Sequence, residues 1–296
     1  MFKKNRKKYY IIAFILIFIA AFFYWENHTL QITRYEFDYD NLPENFDGYR
    51  IVQISDMHGR TFGKGNSGLA KKIISLKPDI LLITGDMMSS TINDEGAFFD
   101  FLDHFNKACP IYMCLGNHEQ IAKQLLNDNG RYSNFIKKIR EKGVILLDNE
   151  KVTVKKESDS ITISGLTLEL YHYSRRDAEH YDENMSLTVS YMEAVLGKSP
   201  DEFNILLAHT PTYFKEYASW GADLVLSGHM HGGIIRIPFF GGVFSPEKVF
   251  FPEYDAGLFE SGTSRMVVNR GLGYSKVNIR LFNRPEINFI ELNSRQ

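Results

Sequence analysis

Five short runs of β-branched residues and leucines stand in the middle of the chain, and each is followed at once by residues that can bind a metal ion. Runs of this kind, bounded by glycine and polar residues, predict buried strands of a layered α/β fold. The runs, with the residues that follow them, are 51–55 with Asp56 and His58, 80–84 with Asp86, 111–115 with Asn117 and His118, 205–208 with His209, and 224–227 with His229 and His231. Ligands of open α/β sheets bind outside the carboxyl ends of the strands. We therefore expect these side chains to surround one crevice.

The combination of these residues carries more weight than any single member. An aspartate after a strand is usually a turn or capping residue, and a lone histidine is usually an ordinary hydrogen-bonding residue. Five of the nine histidines nevertheless follow the predicted strands, namely His58, His118, His209, His229 and His231. Glycine also stands directly before Asp86, Asn117 and His229, where a side chain would crowd a strand that turns sharply beside a ligand. Chance clustering is therefore a poor explanation.

The rest of the body alternates predicted helices with strands. Apolar residues recur three and four apart in the segments 66–76, 96–107 and 129–142, as they do in amphipathic helices. Additional short strands are predicted at 144–147, 152–155, 161–163, 267–269 and 287–292, and the polar stretch 173–184 predicts a surface excursion before a helix that reaches Met192. No repeat, glycine/serine linker or charge block divides residues 31–296. We therefore expect one α/β domain there.

The first thirty residues differ from the body. Residues 9–25 carry no charge, have aromatic residues at both ends, and would form a helix about 26 Å long, near the lower limit for crossing a bilayer. Five basic residues precede this run, which predicts a cytoplasmic tail at 1–8, an anchor at 9–25 and an extracytoplasmic body. A cleaved signal peptide is the alternative, but bulky residues 22–25 stand where small ones are expected. A buried helix fits poorly, because the run is apolar on every face.

The charge distribution limits the partners of the body. The formal net charge is −2, but the tail holds five of the 34 basic residues and no acidic one, so the body itself is clearly acidic. An acidic body does not suit a protein that follows a polyphosphate backbone. We therefore expect no nucleic acid partner.

The order of the polar blocks resembles the calcineurin-like metallophosphoesterase family. The matching blocks are Asp56-Met57-His58, Gly85-Asp86, Gly116-Asn117-His118-Glu119, Ala208-His209 and Gly228-His229-Met230-His231. The segments Asn269-Arg270-Gly271-Leu272-Gly273 and Arg284-Pro285-Glu286 resemble the bacterial membrane-anchored subgroup of that family. The resemblance implies a four-layer α/β/β/α sandwich with a dinuclear metal centre.

The resemblance also implies which residues hold the two metals. One metal takes Asp56, His58, Asp86 and His231, and the other takes Asp86, Asn117, His209 and His229, so that Asp86 bridges them. Carboxylate, amide oxygen and imidazole together suit Mn²⁺, Fe or Zn²⁺ better than Ca²⁺. Metal identity stays open among these three.

For His118 the resemblance implies a catalytic role, either protonating the leaving oxygen or contacting the phosphate, with a supporting hydrogen bond as the ordinary alternative. Relatives commonly carry an aspartate three residues after the bridging one to orient this histidine, and Ser89 occupies that position here. Glu119, Asp94 or Glu95 are the possible substitutes. The sequence alone does not place them.

We therefore expect a membrane-tethered hydrolase of phosphate esters. Phosphatases of the superfamily that act on phosphoproteins continue the bridging block with an Asp-Arg pair, whose arginine clamps a monoester dianion. Here the block reads Gly85-Asp86-Met87-Met88-Ser89-Ser90, with neither residue of that pair. Its absence favours phosphodiesters, although Arg60 or Arg236 could restore a clamp. The alternatives are a phosphomonoesterase, a catalytically silent metal-binding adaptor and a serine hydrolase, for which the nucleophile pentapeptide is missing.

The run 237–251, with Tyr254, is dense in aromatic and turn residues. Such a run is usually a lid over a core. Its closeness to His231 and the membrane tether suggest a second hypothesis, an apolar mouth for a lipid-linked substrate.

Overall fold

Two six-stranded β-sheets form the centre of the protein. The computed structural model describes residues 3–125, 129–173, 186–233, 235–274 and 279–295, with side chains from residue 7 onward. The predicted excursion at 173–184 lies, apart from Tyr173, outside the described residues. In chain order the strands are β1 (Gln31–Tyr39), β2 (Tyr49–Ile54), β3 (Ile80–Ile83), β4 (Ile111–Met113), β5 (Val144–Leu146), β6 (Glu150–Lys156), β7 (Asp159–Leu166), β8 (Asn204–Ala208), β9 (Leu224–Ser227), β10 (Arg236–Ile237), β11 (Gly241–Gly242), β12 (Gly257–Ser261), β13 (Ser264–Val268) and β14 (Glu286–Ser294).

Parallel pairing dominates the middle of both sheets. The first sheet has the order β1-β14-β2-β3-β4-β5 and the second has the order β12-β13-β9-β8-β7-β6, while β10 and β11 form a separate small hairpin. Strands β2 to β5 are parallel to one another, and so are β7, β8, β9 and β13. Parallel strands end at the same edge of a sheet. The segments that follow β2, β3, β4, β8 and β9 are therefore brought to one side of the molecule.

Helices cover the outer face of each sheet. The α-helices are α1 (Lys3–His28), α2 (Ser67–Ser75), α3 (Gly96–Phe105), α4 (Asn117–Gln124), α5 (Arg131–Glu141), α6 (Val189–Leu196) and α7 (Phe214–Trp220). Phe98, Phe101 and Phe135 of α3 and α5 are fully buried on the first sheet, and Tyr217 of α7 is fully buried on the second.

The two sheets pack on each other through a third apolar cluster, which joins Ile51 and Leu82 of the first sheet to Ile163 and Leu207 of the second. The predicted four-layer α/β/β/α sandwich is thus confirmed. Each fully buried aliphatic side chain of this cluster contributes about 1.5–3 kcal/mol. The cluster fixes the spacing of the two sheets and so the spacing of the segments that leave their shared edge.

Helix α1 stands apart from these layers. Its segment Lys7–His28 is long and apolar enough to cross a membrane, and only 6% of the most apolar window is buried against the rest of the chain. A helix that is apolar on all faces and exposed along most of its length suits lipid rather than water.

Candidate metal centre

The residues predicted to bind metal follow the strands in strained backbone conformations. Asp56, His58, Asp86, His229 and His231 all have φ between 42° and 67°, in the left-handed region that residues other than glycine seldom adopt. Each such residue costs of the order of 1–3 kcal/mol, and strain of this kind concentrates at functional sites. Hydrogen bonds between the segments compensate, since Met57 N–H donates to the Asp86 carbonyl at 2.8 Å and Gly273 N–H donates to the Asp56 carbonyl at 2.6 Å.

The strand ends bring these side chains into three overlapping groups around Asp86. The groups are Asp56 with His58 and His231, His58 with Asp86 and His118, and Asp86 with His209 and His229, and the potential ligand atoms within each group lie within 4.8 Å of one another. An Asp86 oxygen lies 3.0 Å from His209 Nε2 and 3.7 Å from His58 Nε2, so this carboxylate stands between the groups. Asn117, the first residue of α4, lines the same cleft. The structure thus brings all seven predicted ligands together in one cleft, and His118 joins them there.

Four atoms of this cluster are buried without a hydrogen-bond partner among the described residues. They are Asn117 Oδ1, His209 Nε2, His229 Nε2 and His231 Nδ1. His209 Nε2 and His229 Nε2 nevertheless face carboxylate oxygens, of Asp86 at 3.0 Å and of Glu247 at 3.2 Å. Asn117 Oδ1 and His231 Nδ1 have no such contact, and each buried polar atom without a partner costs roughly 1–3 kcal/mol unless a ligand satisfies it. The His209 Nδ1 atom lies 2.5 Å from the Thr84 carbonyl, which orients the ring so that Nε2 faces Asp86. These donors fit divalent metal ions.

Burial and mutual contact set the protonation of the cluster. Burial lowers the pKa of His58 to about 3 and lowers the pKa of His231 well below its usual value, so both rings are neutral, as metal ligands must be. Burial raises the pKa of Asp56. Burial also acts against the charged form of Asp86, but His209 and the other histidines beside it hold the pKa of this carboxyl well below its ordinary range. Burial acts against the charged form of His209, but the Asp86 carboxylate raises the pKa of His209 to about 10. The buried carboxylate is thus paired with a protonated ring, a positive charge that a metal cation would supply in its place.

The glycines before the ligands leave room for the neighbouring segments. A side chain at Gly85, where φ is +88°, would place its first carbon 2.5 Å from the Gly116 nitrogen and 2.9 Å from His209 Nδ1. Side chains at Gly116 and Gly228 would overlap Asp86 and Asp56, respectively. The prediction that a side chain would not fit before the ligands is correct at all three glycines. Of the three, only Gly85 also has a positive φ.

His118 lies in the cleft beside the ligands and is oriented by a backbone amide. Ser90 N–H donates to His118 Nδ1 at 3.0 Å, and the His118 N–H donates to Asp86 Oδ1 at 2.9 Å. Because Nδ1 accepts a hydrogen bond, the neutral ring carries its proton on Nε2. The group that contacts Nδ1 is thus a backbone amide and not the carboxylate of Glu119, Asp94 or Glu95, the three acidic residues that the sequence left open.

The three acidic candidates hold the backbone around His118 instead. Glu119 accepts hydrogen bonds from the N–H groups of Asp86, Met87, Met88 and Gly116, at 2.7–3.3 Å. Asp94 accepts hydrogen bonds from Ser89 N–H at 2.8 Å and from Ser89 Oγ at 2.5 Å. Glu95 pairs with Arg131, which also donates to the carbonyls of Ser89 and Ser90. Asp94 and Arg131 thereby fix the turn that presents the Ser90 amide.

A cleft of about 700 Å³ opens above this cluster. Two residues of its wall that the sequence did not single out lie close to the ligands: Glu247 Oε1 is 3.2 Å from His229 Nε2, and the Tyr173 ring is 5.2 Å from the His229 ring. Neither has a local sequence signal, because loops far apart in the chain bring them here. Of the aromatic run 237–251, only Pro246 and Glu247 line the cleft.

The arginines considered as clamps lie elsewhere. Arg60 stacks on Tyr274, with its guanidinium carbon 4.1 Å from the ring centre, and donates to the Asn27 carbonyl. Arg236 pairs with Asp255 at 2.9 Å. Among the described residues that line the cleft, none is arginine or lysine.

Comparison with known proteins agrees with the resemblance to the calcineurin-like family. The family profile described as calcineurin-like phosphoesterase matches residues 49–233. An uncharacterized metallophosphoesterase of Bacillus subtilis is 29% identical over 92% of this chain and 88% of its own length. UDP-2,3-diacylglucosamine pyrophosphatase LpxG of Chlamydia muridarum is 27% identical over 89% of this chain and 90% of its own. Phosphodiesterase YaeI of Escherichia coli is 26% identical over 85% of this chain and 84% of its own.

Proposed function

This chain belongs to the calcineurin-like phosphoesterase family, and on that premise we propose that it is a membrane-anchored, dinuclear-metal hydrolase that prefers phosphodiesters to phosphomonoesters. The observation that carries the metal assignment is the convergence of buried carboxylate, amide and imidazole groups around Asp86, among which Asn117 Oδ1 and His231 Nδ1 have no hydrogen-bond partner in the described part of the chain. We propose that Asp56, His58, Asp86 and His231 hold one ion, and that Asp86, Asn117, His209 and His229 hold the other.

In this proposal the metals supply the charge and the protein supplies orientation. Two divalent ions, when bound, provide Lewis acidity and activate water for in-line attack on phosphorus. His118 directs its Nε2–H at an oxygen of the bound phosphate, because its Nδ1 is occupied by the Ser90 amide. Transferring a proton through an imidazolium would require His118 to give up that hydrogen bond. The arrangement thus favours phosphate contact over protonation of the leaving oxygen.

The preference for diesters rests on charge. A monoester dianion needs a strong cationic clamp, and none of the described cleft residues provides a guanidinium or ammonium group. A diester carries one negative charge and depends less on such a clamp. Two of the relatives point the same way, since one is named a phosphodiesterase and the other is named for the pyrophosphate of a diacylated, nucleotide-linked sugar.

We also propose that the substrate of this hydrolase is linked to a lipid. The wall of the cleft includes Ile92, Ile121, Leu170 and Tyr173 beside the polar cluster, and Ile92 is 63% exposed. An apolar wall next to a metal centre suits a phosphate ester with a hydrophobic substituent. The membrane anchor would bring such a substrate within reach.

The ester preference is tested with the full-length protein in detergent, loaded with Mn²⁺. We expect kcat/KM for bis-p-nitrophenyl phosphate to exceed kcat/KM for p-nitrophenyl phosphate after each is divided by its uncatalysed rate. The Asp86→Asn variant, purified in the same way, measures contaminating phosphatase. A clear excess for the monoester in the wild type contradicts the preference.

A further inference from the structure

A cluster of large apolar side chains is exposed beside the membrane helix. This aromatic patch comprises Ile237, Phe239, Phe240, Phe250, Phe251 and Phe282, all of them at least 44% exposed, with Phe240 at 76%. Phe239, Phe251 and Phe282 also have positive φ, between 50° and 72°, a conformation that bulky residues seldom adopt. A strained backbone thus holds aromatic rings out toward solvent, at a cost in both burial and conformation. Contiguous exposed patches of this kind mark interaction sites.

The patch is continuous with the end of α1. The rings of Phe22 and Phe282 lie 5.6 Å apart, and a cavity of about 660 Å³ is lined by Phe282 together with Phe239, Phe240 and Phe251. The patch therefore lies on the side of the domain from which the helix emerges.

Polar contacts fix the domain to the last turn of α1. Arg280 N–H donates to Asn27 Oδ1 at 2.8 Å, Asn27 Nδ2 donates to the Arg280 carbonyl at 3.1 Å, and Asn283 N–H donates to Glu26 Oε2 at 3.1 Å. The Arg284 guanidinium lies 4.3 Å from the centre of the Trp25 ring. These hydrogen bonds are buried, and Asn27 and Arg280 each donate to and accept from the other. They therefore fix the orientation of the domain relative to the helix.

The depth of Phe282 follows from this attachment. Phe22 lies six residues before the end of α1, roughly 9 Å along the helix axis. Phe282 contacts Phe22, so it reaches below the end of the helix to the level of the apolar span Lys7–His28. Trp25 and Arg284 then lie at the level where aromatic and basic residues meet lipid headgroups.

We propose that the aromatic patch inserts into the interfacial region of the same lipid bilayer that α1 crosses, giving the domain a second membrane contact. The inference rests on the membrane anchoring in the proposed function and adds to it. The patch carries no excess of free positive charge. Arg236 is paired with Asp255 and Arg270 faces Glu286 at 3.6 Å, Arg284 donates to the carbonyls of Thr29 and Leu30, and the exposed Lys248 is matched by the exposed Glu253 in the same loop. Insertion should therefore not require anionic lipid.

The same loop connects the patch to the metal cluster. Phe244 and Phe250 form a β-bridge, and the turn between them carries Pro246 and Glu247 into the cleft, where Glu247 approaches His229. Insertion of the patch would hold this turn, and the cleft beside it, close to the lipid surface. A phosphate ester embedded in the bilayer could then reach the site without leaving its membrane.

The test uses the full chain in phosphatidylcholine nanodiscs, with Cys109→Ser and Cys114→Ala as the background and one spin label per protein. The label is placed in turn at Phe240→Cys in the patch, at Phe18→Cys in the anchor, and at Ile145→Cys on the far edge strand of the first sheet. Accessibility to oxygen reports lipid, and accessibility to a water-soluble nickel chelate reports solvent. Activity on the soluble diester in each labelled protein verifies the fold.

We expect high oxygen and low nickel accessibility at 18, the reverse at 145, and values at 240 that lie between the two, with nickel accessibility clearly below that at 145. Replacing phosphatidylcholine with a mixture containing phosphatidylglycerol should leave the pattern unchanged. High nickel accessibility at 240 with a lipid-exposed label at 18 overturns the second contact while the anchor stands. Solvent exposure at both positions refutes the anchor as well. Protection at 240 from both reagents indicates cover by protein and also overturns the inference.

Discussion

At the scale of single residues, the orientation of His118 decides what it contributes. A proton donor to the leaving oxygen would help poor leaving groups most, whereas a hydrogen bond to a phosphoryl oxygen helps all esters alike. Because Ser90 N–H occupies Nδ1, we predict that His118→Ala lowers kcat/KM by roughly 10²–10³-fold for both bis-p-nitrophenyl phosphate and diphenyl phosphate. His104→Ala, at an exposed histidine, is the control. A loss that is at least tenfold greater for diphenyl phosphate would establish proton transfer instead.

At the scale of elements, Glu119 joins the first turn of α4 to the turn that follows β3. Its two carboxylate oxygens accept four backbone N–H groups, and burial together with the charge of Asp86 raises the pKa of Glu119 to about 7. In Glu119→Gln a side-chain NH₂ group replaces one of the two carboxylate oxygens. The backbone N–H groups that donate to that oxygen would then lose their acceptor. We predict that this variant loses about 2–4 kcal/mol of unfolding free energy in urea titrations. Gln124→Glu, the opposite one-group change at an exposed site of α4, should alter it by less than about 0.5 kcal/mol. Equal stability of the two variants contradicts this role for Glu119.

The sequence predicted both strands that are buried on two faces and helices with one apolar face, such as α2, α3 and α5. Strand β3 is buried at all four positions, and its continuous apolar run gave bounds within one residue of those observed. Strand β1 was not among the predicted strands, although residues 34–39 alternate charged and aromatic side chains as an edge strand does, and α4 begins within a predicted metal-binding block. The meeting of the polar side chains in one cleft was predictable because strand ends converge by topology, whereas their assignment to two metals came from the family resemblance. The contacts of His118 and Glu247 depend on how loops pack, which local sequence does not encode.

At the scale of the whole molecule, the proposed membrane anchor α1 would determine on which side of the membrane the rest of the chain lies. Five basic residues precede the apolar helix, and they favour a cytoplasmic amino terminus. We predict that protease added to intact spheroplasts digests the domain, while a cytoplasmic marker protein survives. The protein should also stay with membranes after carbonate washing. A protected domain in spheroplasts whose marker is equally protected contradicts this orientation.

The metal content of the purified full-length protein tests the central claim most directly. We predict that protein stripped of metal and reloaded with Mn²⁺ retains two ions per chain after gel filtration. Asp86→Asn should retain fewer and lose several orders of magnitude in diesterase activity, because it removes the charge shared by both sites, whereas Asp100→Asn, at an exposed aspartate, should match the wild type. A wild-type chain that retains one ion or none after loading with Mn²⁺, Fe²⁺ or Zn²⁺ would contradict the dinuclear centre.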